Sequence, residues 1–202
     1  MRKKQRLAIY GGAFDPIHMG HLLIAETSRT LLGLDRVYFL PAFSPPHKDF
    51  KGDSARARLD MLELAIQDNP HFAIDYREIE SGKVRYSVDT VKEIQEENPD
   101  HEICFIVGED SLMDIGTWHC PEDLLSRVHL VVAARMGTEG DPVKKAEDLR
   151  RQGYQITLFS RFITGLSSTE IRREVKAGRS IHYAVPEKVE KYILERGLYF
   201  GE

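Results

Sequence analysis

The stretch Gly11-Gly12-Ala13-Phe14-Asp15-Pro16-Ile17-His18-Met19-Gly20-His21 decides the fold of this chain of 202 residues. An apolar run at residues 7–10 precedes it, and an apolar-periodic segment at residues 22–32 follows it. This pattern predicts a strand, a glycine-rich turn and a helix. Such a turn aims backbone N–H groups and the positive end of the helix at one point, where a phosphate can bind. His18 and His21 stand one helical turn apart at that end, so both can face the same anion.

Apolar runs of strand length alternate with helix-periodic segments along most of the chain. This alternation is typical of βαβ units on a parallel sheet. We therefore predict an α/β fold, Rossmann-like and doubly wound, with a mostly parallel sheet and a small helical C-terminal extension. We expect one domain over residues 1–202, with its core at about 7–165 and the helical part at about 166–202. The predicted strands are residues 7–10, 37–40, 73–79, 103–107, 130–134 and 156–159, and the predicted helices are residues 22–32, 55–68, 88–97, 143–151, 168–177 and 187–195.

Composition limits the class of protein. Hydrophobic residues make up 42% of the chain, which is enough for a sizeable core, and the net charge of −4 gives no support for a nucleic-acid-binding surface. The basic start, Met1 to Arg6, is followed by only four apolar residues, too few for a signal peptide. No apolar run approaches the roughly 18 residues of a membrane span. With only two cysteines, no disulfide framework is expected, and we expect a cytoplasmic protein.

The glycine-rich turn has two alternative interpretations. It can be an ordinary connection between a strand and a helix, in which a glycine pair is common. His18 and His21 can also be zinc ligands, but zinc needs at least a third ligand and no nearby cysteine or histidine pattern supplies one. Phosphate binding accounts for more of the residues than either alternative.

A second motif, Ser167-Ser168-Thr169-Glu170-Ile171-Arg172, lies near the C-terminus. It matches a capping box, with Ser167 at the N-cap and Glu170 three residues later. A helix start that carries hydroxyls and an arginine also suits a second anion site. The two interpretations are compatible, because a well-capped helix would hold Arg172 in place.

The two motifs together resemble the nucleotidylyltransferase superfamily, whose paired-histidine motif usually reads His-x-Gly-His. Their order and separation are similar to those of the bacterial nicotinate mononucleotide adenylyltransferases. The resemblance covers residues 7–200, nearly the whole chain. Its further elements are Pro45-Pro46-His47-Lys48, Tyr86-Ser87-Val88-Asp89-Thr90, Gly108-Glu109-Asp110 and Trp118.

The resemblance implies adenylyl transfer from ATP to nicotinate mononucleotide, which gives deamido-NAD and pyrophosphate, with Mg²⁺ carried on ATP. ATP and the mononucleotide are the expected partners, without nucleic acid or membrane, and a homo-oligomer is left open. The implied catalytic residues are His18, His21 and Arg172. The implied ATP and phosphate contacts are Gly11, Gly12, Ala13, Phe14, Gly108, Asp110, Ser168 and Thr169. The implied contacts to nicotinate mononucleotide are His47, Lys48, Ser87, Trp118 and Arg135.

Two departures and two alternatives stay open. The family usually has Thr or Ser where Ala13 stands, which would remove a hydroxyl contact to phosphate. Relatives usually have a small residue in place of Glu109, and we expect its extra charge to point to solvent. Another phosphomonoester, such as nicotinamide mononucleotide or phosphopantetheine, is an alternative acceptor. The chain can also be a nucleotide-binding module without catalysis, although a mere binder has less need of two histidines and Arg172.

Overall fold

The structure is a computed structural model that describes residues 5–43, 53–134, 141–160 and 165–201, apart from the side chains of residues 53 and 54. Within these ranges six strands form one sheet: β1 (Gln5–Gly12), β2 (Val37–Pro41), β3 (Phe72–Ile74), β4 (His101–Gly108), β5 (Val128–Ala133) and β6 (Gln155–Phe159). Their order is β3-β2-β1-β4-β5-β6, and every neighbouring pair is parallel. The predicted parallel α/β fold is confirmed.

Eight α-helices accompany the sheet in the described part of the chain. They are α1 (Met19–Leu32), α2 (Asp53–Ile66), α3 (Ser87–Glu97), α4 (Glu109–Asp114), α5 (Pro121–Arg127), α6 (Pro142–Arg151), α7 (Ser168–Lys176) and α8 (Glu187–Arg196). None of these helices is long and apolar enough to cross a membrane.

The helices cover both faces of the sheet, which makes the fold doubly wound. Successive side chains of a strand point to opposite faces. Along β1, Ala8 and Tyr10 join a core with α1, α2, α7 and α8. Ile9, between them, joins a second core with α3, α4, α5 and α6.

The C-terminal helices pack on the sheet rather than standing apart from it. Ile171 of α7 and Ile193 of α8 are buried in the same core as Ile24 of α1. The segment between them also contributes, because the Ala184 carbonyl accepts a hydrogen bond from the Met19 N–H, at 2.9 Å. This contact satisfies one of the N–H groups that the start of α1 leaves without an intrahelical partner.

One strand is shorter than its sequence predicts. The apolar pattern predicted a strand over residues 73–79, whereas β3 ends at Ile74. The Asp75 carboxylate accepts the backbone N–H and Nε–H of Arg77, at 3.1 and 2.9 Å. This local side-chain contact forms a turn, and Ile79 starts a short 3₁₀ turn instead of extending the strand.

Candidate active site

The glycine-rich turn joins β1 to α1 as the sequence predicts. His18 is the N-cap of α1 and has an extended backbone, with φ −145° and ψ 170°. Its ring stacks on that of His21, with 3.6 Å between centroids and 25° between planes. The His18 N–H donates to Nδ1 of His21 at 3.3 Å. A neutral imidazole carries one proton, so this contact puts the proton of neutral His21 on Nε2.

Three side chains from distant parts of the chain hold the carbonyl groups of this turn. Arg58 donates to the Ala13 carbonyl at 2.6 Å. Arg172 donates to the Asp15 carbonyl at 2.6 Å, and Ser168 donates to the Pro16 carbonyl at 3.0 Å. In a trans peptide the carbonyl and the following N–H point in opposite directions. Donors at the Ala13 and Pro16 carbonyls therefore fix where the N–H groups of the next residues point.

The Asp15 side chain connects the turn to the C-terminus. Its carboxylate accepts a hydrogen bond from the Tyr199 hydroxyl at 2.8 Å and lies 3.7 Å from Nη1 of Arg172. Burial raises the pKa of Tyr199, and the adjacent Asp15 carboxylate raises it further. The hydroxyl is therefore a permanent donor to Asp15 at neutral pH.

A cavity of about 180 Å³ opens beside the two histidines. Its wall includes the predicted ATP-binding residues Gly108 and Asp110, which lie at the end of β4 and the start of α4. Phe14 also lines it and is buried edge-on against the His21 ring, with 5.2 Å between centroids. The sequence-predicted residues of the first strand, the first helix and the fourth strand thus meet in one place.

A second cavity, of about 480 Å³, is also lined by the glycine pair. Ala13, Ser87 and Trp118 line it. Trp118 is partly buried and packs edge-on against Phe105, with 6.4 Å between ring centroids. Gly11, Gly12 and Ser111 line both cavities, so two ligands bound in them would meet at the end of β1.

A side chain at either glycine of this meeting point would crowd an aromatic ring. A Cβ on Gly11 would lie 3.2 Å from the Phe105 ring, and one on Gly12 would lie 3.0 Å from the Phe14 ring. Both distances are tighter than ordinary contact. The two glycines therefore leave room for these rings, of which Phe105 lines the larger cavity and Phe14 lines the smaller one.

Other sequence-predicted residues stand elsewhere. Ser168, Thr169 and Arg172 contact the turn or each other and do not line either cavity, although Leu166 just before them lines the smaller one. Ser167 accepts the Glu170 N–H at 3.1 Å, as the capping-box interpretation predicts. His47, Lys48 and Arg135 lie outside the described residues.

The expectation that Glu109 faces solvent is wrong. This residue is only 2% exposed. It is the first residue of α4, and the positive end of a helix favours a carboxylate there. The position directly follows buried strand β4, which accounts for its burial.

Known proteins resemble this chain over nearly its whole length. The profile of the cytidylyltransferase-like family matches residues 9–174, a range that contains both motifs. A protein of Exiguobacterium sibiricum named probable nicotinate-nucleotide adenylyltransferase is 40% identical over 194 residues, covering 96% of this chain and 98% of that protein. A protein of Thermomicrobium roseum with the same name is 43% identical, covering 96% and 91%. The chain belongs to the nicotinate-nucleotide adenylyltransferase family.

Solved structures share the fold of this family member. The nicotinic acid mononucleotide adenylyltransferase of Plasmodium falciparum, complexed with NaAD, superposes with a TM-score of 0.81. The match covers 96% of this chain and 97% of that chain at 21% identity. At this identity the match shows a common architecture.

Several residues of this adenylyltransferase site carry little or no signal in the sequence. Arg58 is 1% exposed and also donates to the Phe43 carbonyl at 2.7 Å. Its position is the one sign in the sequence, because Arg58 stands three and four residues before Met61 and Leu62 and so lies on the apolar face of α2. Ser111 and Tyr199 carry no sequence signal of this kind, because their places depend on tertiary packing.

Proposed function

We propose that this protein transfers the adenylyl group of ATP to the phosphate of nicotinate mononucleotide, forming deamido-NAD and pyrophosphate as a step of NAD biosynthesis. The observation that carries the proposal is the pair of cavities that meet at Gly11 and Gly12 beside His18 and His21. A transfer between two nucleotides needs two binding sites that adjoin where the reacting phosphates meet. Full-length relatives at 40% identity support the same reaction.

The reaction needs alignment more than proton transfer. A mononucleotide phosphate has a second pKa of about 6, so it is already mostly dianionic at neutral pH. Its oxygen attacks the α-phosphorus of ATP, and the bond from that phosphorus to the α–β bridging oxygen breaks. Pyrophosphate leaves with the electron pair of that bond. The protein must hold two anions in line and neutralise the charge that grows on the bridging oxygen.

The histidines supply donors for this charge. Because Nδ1 of His21 accepts from the His18 backbone, the neutral His21 ring carries its donor N–H on Nε2. His18 lies in the same cavity wall, and a buried donor stabilises developing charge more strongly than a solvated one. Both residues are therefore assigned to transition-state stabilisation and not to proton abstraction.

The second motif is assigned to the leaving group. Arg172, Ser168 and Thr169 stand beside the turn, and the family likeness assigns them to the β- and γ-phosphates. A guanidinium has five N–H donors, so Arg172 can hold the Asp15 carbonyl and contact phosphate as well. Ala13 offers no hydroxyl to a phosphate, but a backbone N–H of the turn would still contact it.

Magnesium is expected to arrive with ATP. Among the residues that the structure describes, no cluster of three or more His, Cys, Asp or Glu side chains is placed to hold a metal ion. Asp110 is a carboxylate in the wall of the smaller cavity. This fits Mg²⁺, which keeps several waters and binds one or two carboxylates together with substrate phosphates. The ion would neutralise charge on the triphosphate.

The larger cavity suits the pyridine ring. The Trp118 indole offers an aromatic face to a flat, positively charged ring. Ser87, at the first position of α3, brings a hydroxyl and the N-terminus of that helix to the same cavity. His47, Lys48 and Arg135 are assigned by family likeness to the phosphate of the mononucleotide.

The test is pyrophosphate release with ATP and Mg²⁺, measured with nicotinate mononucleotide, its amide analogue and phosphopantetheine in parallel. We expect the acid to be the best acceptor by kcat/KM. A better rate with phosphopantetheine would keep the adenylyl-transfer site and discard the assigned acceptor. Binding of ATP without turnover on any acceptor would favour a module without catalysis.

A further inference from the structure

The larger cavity contains a buried acidic group that the reaction does not use. Glu78 lines this cavity and is 7% exposed. Its carboxylate accepts a hydrogen bond from the Thr90 hydroxyl at 2.7 Å. Burial raises the pKa of Glu78, and nearby Arg85 acts in the opposite direction. A second carboxylate brought into this cavity would be repelled by ionised Glu78 unless a cation were close to both.

Arg85 is that cation. Among the described residues that line the larger cavity, it carries the only guanidinium or ammonium group. It lies two positions before Ser87, and its side chain is 17% exposed. Its ion-pair partner is Glu93 on α3, whose side chain is 46% exposed.

The ion pair with Glu93 can be exchanged at little cost. Water screens the attraction of an ion pair at the solvent-exposed Glu93 carboxylate, so the pair contributes little to stability. A ring carboxylate in the partly dry cavity would offer the guanidinium a bidentate partner of matching geometry. A carboxamide in the same place carries no charge and would gain much less from Arg85.

We propose that Arg85 is a specificity-determining residue for the second substrate: it exchanges Glu93 for the ring carboxylate of the mononucleotide and thereby favours the acid over the amide. This inference rests on the proposed function, because it names the part of the second substrate that Arg85 recognises. Ser87 and Trp118 place the ring, and Arg85 distinguishes its substituent.

The experiment compares kcat/KM for nicotinate mononucleotide and nicotinamide mononucleotide in the parent and in Arg85→Gln. We expect the acid-to-amide ratio to fall at least about fivefold, chiefly through a higher KM for the acid, as the loss of one charge-assisted pair predicts. Turnover of the amide shows that the variant is folded. A smaller fall in the ratio overturns the proposal, as does an equal loss with both substrates, which would assign Arg85 to the shared phosphate.

Arg77→Gln is the matched control, because Arg77 also lies near Glu93, at 3.8 Å, but does not line the cavity. Its ratio should stay within about twofold of the parent, and a fivefold fall here would contradict a specific role for Arg85. Glu93→Gln removes the competing partner, so its ratio should equal or exceed that of the parent, and a lower ratio contradicts the exchange. A parent that uses neither mononucleotide would overturn the proposed function and this inference together, whereas an active parent with an unchanged Arg85→Gln ratio overturns only the inference.

Discussion

His21 accepts a hydrogen bond from the His18 backbone through Nδ1, and this contact places the proton of the neutral His21 ring on Nε2. The same two residues stack their rings face to face at the start of α1. The paired-histidine motif therefore has a structural reason for its spacing, since a separation of three residues lets one histidine orient the other.

His18→Ala tests the assigned role of this pair. We expect kcat to fall about 10²–10³-fold, the usual effect of removing a donor to transition-state charge, while the Kd of ATP changes much less. Pyrophosphate release and equilibrium binding of ATP measure the two quantities. His71→Ala, an exposed histidine that does not line either cavity, is the control. Turnover of His18→Ala within a few-fold of the parent would contradict the mechanism.

Tyr199→Phe tests the link between the C-terminus and the turn. The variant loses the hydroxyl that donates to the Asp15 carboxylate at 2.8 Å. We expect the free energy of unfolding to fall by about 1.5–3 kcal/mol, as for other hydrogen bonds to charged groups, and kcat to fall because Asp15 also contacts Arg172. Urea unfolding and steady-state kinetics check both expectations. Tyr183→Phe, at an 84% exposed position, should change stability by less than about 0.5 kcal/mol.

Glu78 gives stability a dependence on pH with a definite sign. Burial raises its pKa above the ordinary value of 4.5, so the folded chain keeps a proton that the unfolded chain releases. The stabilisation from this group is complete below the unfolded pKa and is lost as pH rises through the folded value. In Glu78→Gln the charge is absent, so we expect Tm of the variant to rise relative to the parent from about pH 5 to about pH 8. Exposed Glu96→Gln is the control, and a flat difference for Glu78→Gln would contradict the expectation.

At the scale of an element, α8 stabilises the layer that carries the histidines. Ile193 is fully buried, whereas its neighbour Leu194 is 53% exposed. We expect Ile193→Ala to lower the free energy of unfolding by about 2–5 kcal/mol and Leu194→Ala by less than about 0.5 kcal/mol. Denaturant unfolding of the pair is the measurement. Equal effects of the two substitutions would mean that α8 does not pack on the core as the structure describes.

Elements with strong periodicity could be predicted from the sequence, and elements set by side-chain contacts could not. Regular patterns of apolar residues in the sequence predict the strand β1 and the helices α1, α3, α7 and α8. The strand predicted over residues 73–79 ended early because Asp75 forms a turn with Arg77. Short helices such as α4 fill fewer than two turns, too few for a periodic pattern.

The candidate site could likewise be predicted only in part: the residues that are neighbours in the sequence could be found, and those brought together by folding could not. Gly11, His18 and His21 are neighbours in sequence, and a motif of neighbours can be recognised before folding is known. Arg58 and Tyr199 reach the same turn from 45 and 184 residues away. Nothing in a linear pattern specifies that these two side chains meet the turn, because only the packing of α2 and the C-terminus on one face of the sheet brings them together.

For the whole molecule, strand order places the candidate site. The chain runs from β1 outward to β2 and β3, then returns to β4 on the other side of β1. Ligands of doubly wound sheets bind where this order reverses, beyond the carboxyl ends of the strands. Gly12 ends β1, Gly108 ends β4, and the two cavities open between and beside these two ends.

The shared floor at Gly11, Gly12 and Ser111 has a consequence for inhibition. A dinucleotide that joins both halves would occupy both cavities at once, so its binding should exclude each mononucleotide even when the other is absent. Competition measured by calorimetry should show deamido-NAD displacing ATP alone and nicotinate mononucleotide alone, with an apparent affinity that weakens as the concentration of either competitor is raised. Displacement of only one of them would mean that the cavities do not act as a continuous site. If the two cavities act together, deamido-NAD is a product inhibitor that competes with both substrates.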